Sequence, residues 1–278
     1  MGTKQIARSG GACRMKSVAA ATFFAAVIVS VGQAADPWLA RIGPETPGTF
    51  PLVRPFSGKF RFGWSEIGAA SAEARVWYSG DKIMVEVKGG TNGLARTLWQ
   101  LDARHKATIL KEGLQPVAFE QVERYAKKRV RTEAVFKPDG LWRLRAVTSD
   151  PKNVPRWKKI KVEPIRDIVS AMLFIRSQSL NDGEKVGVVA FPGDSPFLVE
   201  ITVVRREQIR VGNKLRKVIK LDFQIQRIDL AKRRLAPHGK FKNGTVWISD
   251  DENRVPLRAE VNIFIGYVFG ELETIQFQ

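Results

Sequence analysis

Across 278 residues, hydrophobic side chains make up 44% and aromatic ones 9%, enough apolar surface for a core, so a globally disordered chain is excluded. The chain carries 46 Lys and Arg against 28 Asp and Glu, a formal charge of +18. Its single cysteine excludes a disulfide framework and a thiolate metal cluster.

The chain opens as an address. Lys4, Arg8, Arg14 and Lys16 come with no acid, Ser17 to Val31 is uncharged and mostly apolar, and Gly32-Gln33-Ala34 offers small residues at a cut site. That order reads as a secretory signal peptide over 1–34. The apolar run is shorter than the ~20 residues a spanning helix needs, so a membrane anchor is the lesser reading. Cys13 precedes the run, so it is not a lipid-attachment cysteine, and it is lost on cleavage. The expected product is periplasmic or secreted, with a charge of +14.

Residues 35–55 hold Pro37, Pro44, Pro47, Pro51 and Pro55, which predicts an extended lead-in. From Phe56 the period is two: Phe56, Gly58, Phe60, Phe62 and Trp64 alternate with Ser57, Lys59, Arg61 and Gly63. Ala72 to Tyr78, Ile83 to Val87, Ile219 to Ile225 and Val255 to Ile265 repeat that alternation. It predicts antiparallel sheets with one buried and one wet face. Residues 92–101 and 118–128 read equally as helix or strand, and 150–163 as a crossover within one β-rich domain over 56–278. One segment has helical spacing: Ile165, Ile168, Val169, Met172, Leu173 and Ile175 form a stripe. A helix is expected over about 165–180, with Pro164 in its first turn, Asp167 at its positive end and Asn181 or Gly183 closing it. The fold class expected is mainly β (β-rich α+β): a curved antiparallel sheet or open half-barrel wrapped around one amphipathic helix.

No catalytic signature stands out. Asp250, Asp251 and Glu252 lack metal-loop spacing and read as a turn, with Arg254 in a local ion pair. His105 and His238 read as exposed loop residues without local partners. Ser195 lies between Asp194 and Pro196, which does not suit a nucleophile elbow, and Pro192 to Pro196 reads as a tight connection. Asn243-Gly244-Thr245 matches a glycosylation acceptor but reads as an Asn-Gly turn. No metal and no cofactor is implied. The helix and the strands facing it either pack as a plain core or leave a groove for a lipid or other apolar ligand. Ile168, Met172, Ile175, Phe223, Ile225 and Trp247 would line that groove. Positive charge concentrates in 121–161 (net +9) and 205–242 (net +10). Lys127, Lys128, Arg129, Arg156, Lys158, Lys159, Arg205, Arg206, Arg233 and Arg234 could hold an anionic envelope surface, with Trp157 beside the charge. The rival is that they occupy solvated strand faces. Export argues against genomic nucleic acid.

Asp167-x-x-Ser170 opening the helix, then Arg176 and Leu180, Trp247-Ile248-Ser249-Asp250-Asp251, Arg254, Pro256-Leu257 and Ile265-Gly266 form an ordered set. In this order the chain resembles the bacterial exported family catalogued as domain of unknown function 3108, roughly from Phe56 to Phe277. The resemblance implies a periplasmic or secreted β-rich protein without an assigned activity. Its implied shape is similar to the open half-barrel of outer-membrane lipoprotein carriers. Three functions are carried forward: a non-enzymatic envelope protein holding an apolar or amphiphilic ligand, a basic interaction module, and a hydrolase using Asp250, Asp251 or His238.

Overall fold

The structure, a computed structural model, describes residues 38–148, 154–239, 243–263 and 266–278. The signal-peptide segment 1–34, the first part of the crossover at 150–153 and Ile265 lie outside the described residues.

After a 3-10 turn at Leu39–Arg41, the chain runs as an antiparallel meander: β1 (Phe56–Trp64), β2 (Ile67–Ser79), β3 (Lys82–Thr91), a short α1 (Gly93–Leu98), β4 (Leu101–Leu110), β5 (Pro116–Tyr125), β6 (Arg129–Lys137), β7 (Gly140–Val147) and β8 (Lys158–Ile160). It then crosses to the opposite edge with β9 (Arg166–Asp167) and α2 (Ile168–Ser177). It returns through β10 (Lys185–Phe191), β11 (Phe197–Val211), β12 (Lys214–Asp229), β13 (Arg234–Pro237), β14 (Asn243–Ser249), β15 (Pro256–Asn262) and β16 (Tyr267–Phe277). β16 pairs with β1, so both halves join in one curved, unclosed sheet whose edges are β8 and β9. Only 161–165 separate those edges in sequence, which keeps them within about 20 Å. The fold is mainly β around one principal helix, as the alternation implied.

The two ambiguous segments resolve differently. Residues 93–98 form the short helix, and 116–125 are strand. Asn243-Gly244 opens β14 instead of turning, because the Phe223 ring lies where a Gly244 side chain would project.

The inner face of the first half reads as rows across the strands. One row runs Phe277, Phe56, Val76, Val85, Ala107, Phe119 and Ala134. From Phe56 to Ala134 it is buried and forms the main core with Val189 and Phe191 of β10. β10 is buried on both faces after Lys185, so Val186, Val188 and Ala190 join a second core with Phe174, Ile175, Ile219, Leu221 and Phe223. That double burial explains its unbroken apolar run.

The helix begins later than its stripe suggested. Pro164 stands outside it, and Asp167 is the N-cap, its Oδ1 accepting from the Val169 (2.8 Å) and Ser170 (3.1 Å) amides. Its buried residues are Ser170, Ala171, Phe174, Ile175, Arg176 and Ser177. Ile168 and Met172 are exposed, although the stripe placed them inward. The polar residues could turn inward because the helix's neighbours supply partners. Ser177 Oγ donates to the Phe174 carbonyl (2.6 Å) and accepts from the Gly48 amide (3.0 Å).

Neither Asn181 nor Gly183 closes the helix. Arg254 does, donating to the carbonyls of Arg176 (3.0 Å), Gln178 (2.5 Å) and Ser179 (3.1 Å) while its guanidinium lies over Phe50. Arg176 answers from the helix, donating to the carbonyls of Pro51 (2.5 Å), Glu252 and Asn253 (2.8 Å). The sequence had placed Arg254 in an ion pair with its acidic neighbours. Asp251 instead shapes the turn, its Oδ1 accepting from Ser249 Oγ, the Asn253 amide and the Arg254 amide.

Candidate functional site

The six residues expected to line a helix–sheet groove do not share one space. Ile175 and Phe223 are buried in the second core and Ile225 packs against it. Ile168 and Met172 face outward. Trp247 packs against the main core, and its indole donates to Glu207 (2.8 Å). The space between α2, the lead-in and β10, bounded by Ile42, Arg166, Phe174 and Val188, is a void of about 10 Å³, room for one water.

The open space lies elsewhere on the inner face. Next to the filled row runs Gly58, Ala74, Val87, His105, Gln121 and Thr132, and beyond it Phe60, Ala72, Gly89, Ala103, Glu123 and Val130. A third row runs Phe62, Ala70 and Thr91 on β1–β3, continued by the paired Leu101 and Tyr125 of β4 and β5. Sharp curvature demands the small residues, since a Gly89 side chain would start 2.6 Å from the Ala72 Cβ. The consequence is a floor of short side chains: Ala70, Ala74, Gly89 and Ala103 are half-buried, and Val87 and Phe60 pack against the edge of the main core. This is a trough.

Its two walls differ chemically. On β1 stand Phe60, Phe62 and Trp64. On β5 stands a polar ladder in which Gln121 donates to Glu123 (2.7 Å) and Tyr125 donates to the other Glu123 oxygen (2.8 Å). Burial and the acceptor Glu123 push the Tyr125 hydroxyl up to about 12, so it stays a donor at neutral pH. His105, expected on an exposed loop, faces inward from β4 with its ring edge-on to Phe119 at 5.9 Å. Burial lowers its pKa, against the pull of Glu123, so it is held neutral. The Pro192–Pro196 connection covers the far side of this wall. Arg143 donates to the Asp194 carbonyl (2.7 Å) and Arg145 to its carboxylate (3.0 Å). Gln121 Oε1 is buried there without a hydrogen-bond partner. His105 and Gln121 were legible only as an inward parity on strands, a signal their polar character masked.

A second concavity, of about 560 Å³, opens on the other face between Lys59, Glu73, Arg75, Glu86 and Lys88. Its charges largely satisfy one another: Lys59 pairs with Glu73, and Lys88 and Arg104 with Glu86. That is the pattern of a solvated sheet face.

The basic residues divide. Arg205 pairs with Glu207, Arg206 with Asp182 and Asp250, and Lys159 with Asp139. Arg156 and Lys158 are exposed at the β8 edge, next to Trp157. Lys127, Lys128 and Arg129 lie at the β5–β6 turn, and Arg233 and Arg234 at the β12–β13 turn. Asp250 and Asp251 lie at the β14–β15 turn, whereas His238 packs on Phe197 at 5.2 Å beyond the opposite end of those strands. The three do not converge in one cleft. Among the described residues no group of three or more His, Cys, Asp or Glu could hold a metal ion, and no helix is long and apolar enough to cross a membrane.

The profile of a family described as "Protein of unknown function (DUF3108)" matches residues 58–273. A β-barrel-like protein of the domain of unknown function DUF1849 from Brucella abortus superposes with a TM-score of 0.52 at 9% identity, covering 82% of this chain and 99% of that one. A protein from Bacteroides fragilis, provisionally described as exported and with a YmcC-like fold, gives 0.37 at 11% identity over 83% and 99%. A protein from Parabacteroides distasonis, provisionally described as a lipoprotein, gives 0.37 at 8% over 84% and 100%. The first shows a shared fold and the other two carry no argument. No curated protein matches the chain.

Proposed function

The chain belongs to the DUF3108 family of proteins of unknown function, and from that premise we propose that it is an exported, non-enzymatic envelope protein that holds an amphiphilic ligand in the inner-face trough. The observation that supports this most is the change within one face: the buried row from Phe56 to Ala134 gives way, two and four residues along the strands, to half-buried positions that include Ala74, Gly89 and Ala103. An apolar wall at Phe60, Phe62 and Trp64 suits an acyl or similar chain. The polar wall at His105, Gln121, Glu123 and Tyr125 suits a hydrogen-bonding head. The ligand is thereby moved from the helix–sheet groove, which is filled, to the strand face beyond the core.

The test is native mass spectrometry of protein purified from envelopes, paired with displacement of a fluorescent acyl probe. An adduct of amphiphile mass, and probe binding abolished by Ala103→Trp with the circular dichroism spectrum retained, are the expected results. Protein that is consistently empty and insensitive to Ala103→Trp would sink the reading.

A further inference from the structure

The antiparallel meander brings the β1–β2 turn, α1 and the β5–β6 turn to one end of the sheet, the end at which the trough opens. Four strand spacings separate the outer turns, about 20 Å along the rim. The chemistry of this rim is inverted relative to a solvated edge. In α1, Leu94 and Leu98 stand one helical turn apart and are 86% and 88% exposed, more than Ala95 and Arg96, which are half-buried. A helix packed on a soluble protein presents its leucines the other way. Trp99 follows at 58% exposure, and across the rim Ile67 is 66%, Trp64 45% and Phe62 39% exposed.

Charge stands beside this apolar edge. Trp99 leans on Tyr125, ring centroids 6.5 Å apart, and the Lys128 ammonium lies 4.9 Å from the Tyr125 ring centre. Lys127 and Arg129 flank it, and Arg124 is exposed beside them. None of these four cations makes an ion pair with a carboxylate among the described residues. The acids at this end are engaged: Asp102 with Arg96, and Glu66 with Arg258 and Tyr267. Exposed Leu and Trp on α1, with Tyr125 and the cations of the neighbouring β5–β6 turn on the same rim, form the apolar, aromatic and basic combination that an anionic bilayer surface takes up.

We infer that the α1 rim is a docking edge for an anionic phospholipid bilayer, with Leu94, Leu98 and Trp99 entering the interface and Lys127, Lys128 and Arg129 holding the headgroups. This placement sets the mouth of the trough against the membrane. It does not require the trough to be occupied, and the two are separable by experiment. A protein partner would leave the lysine row beside the leucines without a role, whereas the anionic leaflet uses both.

The test is flotation of the purified protein with vesicles of equimolar phosphatidylglycerol and phosphatidylcholine, against vesicles of phosphatidylcholine alone. Binding to the anionic vesicles is expected to be at least about tenfold tighter and to weaken as salt rises from about 0.02 to about 0.5 M. Leu94→Asn with Leu98→Asn should lower it about tenfold or more on either vesicle. Lys127→Glu with Lys128→Glu should remove the preference for phosphatidylglycerol. Leu215→Asn, an equally simple change at the exposed β11–β12 turn, should change neither. Probe binding in the trough should survive the α1 substitutions, so loss of one property without the other identifies which idea has failed. No anionic preference, equal sensitivity to Leu215→Asn, or a dimer in solution that the α1 substitutions dissolve would overturn the inference.

Discussion

Strand β4 lies in the middle of the first half and β10 beside the edge strand β9, and although both carry inward apolar residues they meet different fates. β10 is covered on both faces, by the first half's core on one side and by α2 with β11, β12 and β14 on the other. β4 is covered only at Ala107 and Ile109, and the same face at Ala103 and His105 is left half-buried. The sequences already differ: β10 is an unbroken apolar run, whereas β4 alternates with Asp102, Arg104 and Lys106. The rest of the difference is how far the returning second half reaches across the curved face of the first. Packing that ends partway along a strand leaves a boundary, and the trough begins at that boundary.

That contrast can be broken most severely at the closed end. Phe119→Ala, in the filled row, should cost about 4 kcal/mol, while Phe60→Ala, on the trough wall, should cost about 1 kcal/mol; urea unfolding midpoints would compare them. Equal costs would mean that the two rows are equally packed. Next in size is the clasp at the end of α2. Arg254→Met removes the donors to three carbonyls at the end of α2, two of those bonds buried, and should cost about 3 kcal/mol, read in the same titration. A loss below about 1 kcal/mol would mean that water replaces the guanidinium.

A smaller effect concerns pH. His105 has a folded pKa below its unfolded value, so the unfolded chain binds the proton more tightly. Its contribution is present above about pH 6.5 and is lost as pH falls through the depressed folded value. His105→Gln should flatten the stability profile in that window. It should leave a lower-pH loss from Glu271, whose burial raises its pKa but whose bonds from Arg61 and Arg258 outweigh that and hold it below the ordinary carboxylate range. The smallest effect is at the rim. Leu94→Asn should change folding stability by no more than about 0.5 kcal/mol, because its side chain touches little of its own protein. A larger loss would show that α1 is packed after all.

Much of the fold was legible because a period of two survives any tertiary arrangement. Phe56 to Trp64 and Ile219 to Ile225 declare which side is wet wherever their strands go. That Asp167 stands at the positive end of a helix was legible because the effect is local, although its place as the N-cap itself was not. The inward face of α2 was misread at Ile168 and Met172, since a stripe of apolar residues reports what water disfavours and not which neighbours arrive. Ser170, Ser177 and Arg176 went inside because Asp167, Gly48 and the carbonyls of Pro51 and Asn253 were waiting for them. Arg254 was misread for the same reason, its partners being some 75 residues away in the chain. Gly58 and Ala72 were read as ordinary inward positions of the alternation, and the bend they permit was not, because curvature has no local signature.

Alternation and capping, which act between near neighbours, settled from the amino acids alone that this chain is a β-meander with one principal helix. Where the cover stops, which strand face stays open, and which arginines lie inside were decided by the closing of β16 onto β1 and the return of β10 across the first half. Those contacts join residues far apart in the chain, as Phe56 with Phe277 and Phe119 with Phe191, and only the assembled sheet brings them within reach of one another.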